Sequence, residues 1–368
     1  MNTHSLEIMD TYCDSFCRIL RVSSDLLCGE PSTRQTLWFS LVLPTYNRTE
    51  TFREALESVL NQHSVDFAWE ILVVDNTPFD EYGETPALRI IKEIGEPRVL
   101  YYHNSENIGA GYSWNRGVEL ARGKWVSFLH DDDVLCSDAL FNIGNIIRRY
   151  ENLHKPLGYI HARRREFTVA FDEEEARKHD KNYDQELTRA GALIRGHSQT
   201  GAPSCGTTIL KEACLRVGGF SYDYGCTGDA VLGYQIMKDY TVLHSGKVLG
   251  GYRWQENDSL RKSTILNLVE ADLLFAQYRY SLTPWSRLFG RLFWRVQHNL
   301  NIEGKLELAR KGHHDMSRHD FDYIVPYKKS SRIMRFLYKM VQQIYHQIEK
   351  RGRIYFSKKG NPPDHPED

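Results

Sequence analysis

The sequence predicts an α/β protein with a mostly parallel sheet flanked by helices, and three observations predict it. Short apolar runs alternate with amphipathic helical segments between residues 39 and 150, at the spacing of strand–helix–strand units. Three of those runs end in polar clusters, 44–48, 75–76 and 130–133, and in such sheets ligands gather outside the carboxyl ends of the strands. Hydrophobic residues make up 41% and aromatics 12% of 368 residues, enough to bury a large core and to exclude a disordered chain.

In chain order, residues 1–36 form a weakly patterned leader that ends near Gly29-Glu30-Pro31-Ser32. Residues 39–43 are an apolar run stopped by Pro44, the pattern of a buried strand and turn. Thr51 and Glu54 suggest a capping box, and Phe52, Ala55, Leu56, Val59 and Leu60 form one helical stripe. Residues 69–74 and 99–103 read as strands, 109–122 as a helix, 125–129 as a strand, and Ser137 as the cap of a helix running to about residue 150. Beyond 158 the pattern loosens. Residues 172–190 are dense in charge and read as a solvated helix or loop. A strand at 207–210, a short helix, a Gly218-Gly219-Phe220 turn, a helix from Asp229 to about 238, and a strand pair around Ser245-Gly246 follow.

Composition narrows the function. Lys+Arg (47) and Asp+Glu (48) balance, which excludes a nucleic-acid binder by bulk charge. The balance hides an asymmetry: residues 281–368 carry 17 basic and 9 acidic side chains, so the first 280 carry 30 and 39. Seven scattered cysteines without a C-x-x-C pair fit buried thiols in a reducing cytosol better than a zinc site or disulfide framework. The first 20 residues hold Glu7, Asp10 and Asp14 and lack an apolar signal region, and no stretch of about 18 apolar residues occurs. The expected location is cytoplasmic.

His130-Asp131-Asp132-Asp133 carries the strongest chemical signal. Adjacent carboxylates at the end of a buried strand repel one another, and Mg²⁺ or Mn²⁺ would remove that conflict while binding a diphosphate. Asp75 either turns the chain out of its strand or accepts a hydrogen bond from a base or ribose. Tyr46 offers an aromatic face, Arg48 a fork for phosphate, and Asn107-Ile108-Gly109-Ala110-Gly111 a helix start that an anion can approach.

In their order, Pro44-Thr45-Tyr46-Asn47-Arg48, Val73-Val74-Asp75-Asn76, Asn107-x-Gly109 with Trp114-Asn115-Arg116-Gly117, Leu129 with His130–Asp133, Gly218-Gly219-Phe220, Gly228-Asp229 and Tyr252-Arg253 resemble glycosyltransferase family 2. Asn257 and Ser259 extend the likeness, which spans roughly 37–262. The resemblance implies an inverting nucleotide-sugar transferase on the GT-A fold, a Rossmann-like sheet. It implies that Pro44, Thr45, Tyr46, Arg48, Asp75 and Asn107 hold the nucleotide sugar, with Asp131 toward the ribose. Asp132 with Asp133 would ligate the divalent metal, Asp229 would be the general base, and His197 and Arg253 would face the acceptor. Four positions depart from the family pattern. His130 replaces an Asp, Trp114 an Arg (leaving a phosphate or ribose contact to Arg116 or another residue), Gly228 a Glu, and Gln255 a His.

Three divisions follow: leader 1–36, a GT-A domain 37–280 with nucleotide (37–150) and acceptor (151–280) halves, and a helical basic extension 281–368. In a helix from 331 to 349, Ile333, Phe336, Leu337, Met340, Val341, Ile344, Tyr345 and Ile348 share one half, with Arg332, Arg335, Lys339 and His346 opposite. Upstream, Leu288, Phe289, Leu292, Phe293, Val296 and Leu300 share a side. Such helices either pack on the catalytic domain or lie on an anionic inner leaflet as a peripheral contact; the second reading is preferred. The function expected is transfer of a sugar from a nucleotide-sugar donor to a hydroxyl of a glycan or lipid-linked glycan in surface polysaccharide assembly. The alternative is a catalytically idle GT-A-like module that binds a nucleotide or glycan.

Overall fold

The structure, a computed structural model, describes residues 14–33, 36–153, 155–187, 204–221, 228–254, 261–281, 284–322, 331–351 and 355–357. Its first half runs β1 (Ser24–Cys28), β2 (Phe39–Thr45), α1 (Glu50–Leu60), β3 (Trp69–Asp75), α2 (Pro86–Ile94), β4 (Val99–Asn104), α3 (Ala110–Leu120), β5 (Trp125–Phe128), β6 (Val134–Leu135) and α4 (Ala139–Arg149). Strands β4, β3, β2 and β5 lie side by side in that order and run parallel. Helices cover both faces, so β2 and β3 are buried along almost their whole length, which is why they read as apolar runs broken only by Ser40 and Glu70 before their polar ends. One helix comes unusually close: a Cβ at Gly117 of α3 would stand 2.2 Å from Cγ1 of Val42.

The second half continues β7 (Leu157–Phe167), α5 (Glu173–Arg177), β8 (Tyr183–Leu187), β9 (Thr207–Leu210), α6 (Lys211–Arg216), α7 (Gly228–Ile236) and β10 (Thr241–Arg253). It extends the same sheet, with β9 antiparallel between β5 and β7, and β10 parallel to β7. The helices α8 (Lys262–Ser281), α9 (Pro284–Lys311) and α10 (Arg332–Arg351) follow, and β11 (Tyr355–Ser357) returns to pair with the outer edge of β8. The main apolar core lies on both faces of the sheet, and smaller clusters hold the C-terminal helices together, one of them Phe293, Val296 and Tyr338.

Four local expectations are corrected. Thr51 and Glu54 form no capping box: α1 starts at Glu50 after Thr49, and Glu54 pairs across the molecule with Arg253. Ser137 does not cap α4; Asp138 precedes that helix, while the Ser137 hydroxyl donates to Glu173. Residues 183–187 within the charged stretch are a strand, because edge pairing with β10 needs backbone groups and no apolar alternation. Ser245-Gly246 is no turn between two strands but a bulge inside β10, where the register with β7 shifts between His244 and Val248. A glycine that looks like a turn can equally mark a bulge, since both need a backbone without a side chain. A Cβ at Gly246 would stand 1.9 Å from the carbonyl oxygen of Tyr183.

Candidate functional site

The parallel pairing sets Thr45 beside Asp75, and β5 delivers Leu129 and the acidic loop to the same edge. Here the loop after β2 meets the loop after β5. The Thr45 hydroxyl donates to Oδ2 of Asp131 at 2.8 Å, and the Tyr46 amide donates to the same oxygen at 3.2 Å. The Arg48 guanidinium stands 3.9 Å from Asp131 and 3.6 Å from Asp132. Pro44 ends β2 and directs the chain outward, leaving the Tyr46 ring half exposed beside this cluster.

Asp133 is fully enclosed. Its carboxylate accepts the Arg253 amide at 2.9 Å and the Ser204 hydroxyl, with the Cys205 thiol 3.6 Å away. His130 turns its Nδ1 to within 3.6 Å of Asp133 and stacks its ring on Trp114, centroids 5.7 Å apart and planes 5° apart. Two of the departures from the family pattern are therefore one feature: Trp114 carries the imidazole that stands in place of the first carboxylate. Trp114 packs in turn on Phe220, which touches Phe128 of β5.

The donor set fits a hard divalent cation. One ligand atom from each of His130, Asp132 and Asp133 lies within 4.8 Å of the others. Nε2 of His130 is enclosed and meets no hydrogen-bond partner among the described residues, an orphan in a site otherwise dense in contacts. The charge count agrees. Asp131, Asp132, Asp133 and Glu54 carry four negative charges when ionised, and Arg48 and Arg253 return two. Burial first, and the Asp132 charge second, push the Asp131 carboxyl up to about 6, and burial likewise raises Asp133.

That shift has a sign. In the unfolded chain Asp131 titrates near 3.9, so folding holds its proton to higher pH. The group's contribution is most favourable below about pH 4 and is lost as pH rises through about 6, a penalty on the order of 2–3 kcal/mol in the metal-free protein. Thermal melts in chelator should therefore lose stability from about pH 4 to about pH 6, and Mn²⁺ should restore more of it at the higher pH. A melting temperature in chelator that stays flat or rises across that interval contradicts the assignment.

Asp75 is wholly buried, and three donors already meet it: the Thr77 amide at 2.7 Å, the Thr85 hydroxyl at 2.8 Å and the Tyr101 hydroxyl at 2.7 Å. It leaves its strand through an Asx-type turn and locks the loop at 76–79 next to Asn47, whose amide donates to the Thr77 hydroxyl. Asn107 is exposed and accepts the Gly109 amide at 2.8 Å, closing the turn into α3, where Gly109 has φ 80°. Arg116 does not reach the cluster: its guanidinium holds the Ile19 and Val22 carbonyls and Glu119.

Arg253 sits under the acidic loop. Its Nε donates to the Asp132 carbonyl at 2.8 Å, its guanidinium pairs with Glu54, and the plane lies over Phe167 at 4.5 Å. These contacts make Arg253 a clamp on the loop that carries the carboxylates. His197 lies outside the described residues, as do Gln255, Asn257 and Ser259. Glu54, Ser204 and Cys205 are the members of this assembly that the sequence does not single out; Glu54 reads as a helix cap, and Ser204 and Cys205 lie just before β9 with no motif of their own.

Asp229 lies in the first turn of α7, and its Oδ1 accepts the Ala230 amide at 2.7 Å. Gly228 packs against Ser221, next to Phe220 and so to the Trp114–His130 stack. A Cβ at Gly228 would stand 2.2 Å from the Ser221 carbonyl oxygen, which explains the missing Glu: no side chain fits. Gly228→Ala should cost about 1–3 kcal/mol, read as a lowered midpoint in denaturant. An unchanged midpoint contradicts this packing.

Residues 40–172 match the family model described as Glycosyl transferase family 2. An uncharacterized glycosyltransferase of Methanocaldococcus jannaschii is 39% identical over 98 residues, 26% of this chain and 32% of that protein. The succinoglycan biosynthesis protein ExoO of Rhizobium meliloti is 37% identical over 101 residues, 27% of each chain. The chain thus spans about a third or less of these relatives' length. Among solved structures, the mannosyltransferase PcManGT of Pyrobaculum calidifontis, in complex with GDP-Man and Mn²⁺, is similar with a TM-score of 0.50 at 14% identity, covering 88% of this chain and 90% of that one. That likeness concerns the fold. With motifs, sheet and family model in agreement, residues 40–172 are a glycosyl transferase family 2 domain on a GT-A fold.

Proposed function

We propose that the protein is an inverting, divalent-metal-dependent glycosyltransferase that moves a sugar from a nucleotide donor to a hydroxyl of a glycan or lipid-linked glycan. The observation that carries this reading is the grouping of His130, Asp132 and Asp133 beside Thr45, Tyr46 and Arg48 at the carboxyl ends of β2 and β5. The bound ion would supply charge neutralisation on the donor diphosphate. Arg48, which rests against two carboxylates, would turn its fork to phosphate, and the Tyr46 face would meet the nucleotide. Asp131 would orient the ribose, with Asp75 and Asn107 shaping the loops on the base and phosphate sides.

Asp229 would accept the proton of the acceptor hydroxyl while its oxygen forms a bond to the anomeric carbon. The bond from that carbon to the phosphate oxygen breaks, and a nucleoside diphosphate departs from the opposite face. His197 would belong to the acceptor side. Relatives include a protein named for succinoglycan biosynthesis, which supports a role in surface polysaccharide assembly. We place the protein in the cytoplasm, in peripheral contact with the inner face of the cell membrane through its basic C-terminal helices.

The test is a screen of UDP-, GDP- and dTDP-sugars with Mn²⁺, scored by release of nucleoside diphosphate. One donor should be hydrolysed slowly, and chelator should abolish the signal. A second reading, an idle module that only binds nucleotide or glycan, draws on Gly228 in place of a carboxylate; saturable donor binding without any turnover, with or without acceptor, selects it.

A further inference from the structure

Two of the C-terminal helices, α9 and α10, leave large apolar side chains exposed. In α10, Tyr338 is buried against Phe293 of α9, ring centroids 5.8 Å apart, and Met334 and Val341 pack beside it. The Arg335 guanidinium meets Glu303 of α9 at 2.8 Å. These contacts fix how α10 is rotated about its own axis. With that rotation fixed, Ile333, Phe336, Leu337, Met340 and Ile344 remain 41–72% exposed. At 3.6 residues per turn they fall within an arc of about 100°, a stripe about 16 Å long. Leu288 and Leu292 of α9 are exposed as well.

A stripe of five large apolar side chains held outward is costly in water unless something covers it. Its flank says what does. Arg332 and Lys339, both exposed, line one edge of the stripe, and residues 328–359 hold ten basic side chains and one acidic. A second copy of the chain would bring the same positive flank against itself, whereas an anionic lipid surface complements both the charge and the apolar stripe. No helix among the described residues is long and apolar enough to cross a membrane.

We infer that α10 lies in the plane of an anionic phospholipid leaflet, with Ile333, Phe336, Leu337, Met340 and Ile344 inserted and Arg332 and Lys339 at the headgroups. This deepens the peripheral contact proposed above and rests on that part of the reading alone. It names a face: the stripe meets lipid while the Tyr338 side stays on α9, so the helix binds without leaving the protein.

The experiment is co-sedimentation of the full chain with vesicles of phosphatidylcholine, with and without phosphatidylglycerol. Binding should require the anionic lipid and weaken with salt. Phe336→Glu with Met340→Glu, both at exposed positions, should lower the partition coefficient at least about tenfold. Arg332→Glu with Lys339→Glu should lower it roughly fivefold or more per position. Equal binding by wild type and the Phe336/Met340 variant overturns the inference. So does a wild type that ignores vesicles yet self-associates in a manner the same variant disperses, which makes the partner a second copy. Nucleoside diphosphate release keeps the two proposals apart. The variants should hydrolyse donor as wild type does; a chain that binds vesicles but never turns over donor overturns the enzyme and leaves this surface standing.

Discussion

Asp132→Ala should lower Mn²⁺-dependent donor turnover about 10³-fold or more while leaving the fold intact. Asp132 belongs to the His130–Asp132–Asp133 cluster, but unlike Asp133 it is no part of the buried scaffold: its carboxylate faces Arg48, and only its backbone carbonyl is clamped by Arg253. Removing it costs little packing and takes away one anionic ligand. Charge stabilisation by a bound metal is worth several kcal/mol, and each 1.36 kcal/mol is tenfold in rate. The variant should also lose the stabilisation that Mn²⁺ gives the wild type in a thermal melt. Asp133→Ala is a poorer probe, since it strips partners from Ser204 and the Arg253 amide and confounds folding with catalysis. Turnover in Asp132→Ala within tenfold of wild type would remove this residue from the metal-binding role.

Asp229→Asn should lower the rate about 10²–10⁴-fold, the range typical of general-base catalysis, with donor binding retained. Asparagine keeps the amide acceptor that Asp229 offers to Ala230, so the start of α7 should hold. The split between binding and chemistry is the informative readout. A general base belongs to the acceptor reaction, so donor affinity measured by thermal shift should not move. The pH profile should lose the limb that reports ionisation of the base. Equal loss of donor affinity and stability would instead make Asp229 a helix-start residue with no part in the chemistry.

How much of this was legible in the sequence depends on what each element is made of. The parallel centre was legible because β2, β3 and β5 are buried on both faces, and such strands must be written as apolar runs ending in turns. The acidic loop, Thr45, Tyr46 and Arg48 were legible because the site lies at the ends of those same strands. Elements held by backbone pairing were not. The first six residues of β7 are mostly buried and apolar but its second half is rich in arginine, and β8 is polar at its three central positions, 184–186. The helix α2 did carry its signals, Thr85 accepting the Leu88 amide, Pro86 in the first turn and Gly95 at φ 67°. Arg253 shows the deeper limit. Tyr252-Arg253 is recognisable as a motif, but that its guanidinium turns under Asp132 toward Glu54 depends on β10 being one bulged strand, a fact no local pattern states.

The proposed mechanism requires a divalent cation held among these carboxylates together with the donor's phosphates. Anomalous diffraction from a crystal grown with Mn²⁺ and a nucleoside diphosphate measures it directly. The prediction is one manganese peak at about 2.1 Å from a carboxylate oxygen of Asp132, next to the diphosphate, with Arg48 drawn off Asp131 and Asp132 toward phosphate. Manganese bound elsewhere, with residues 131–133 as they stand and the nucleotide away from Thr45 and Tyr46, would contradict it.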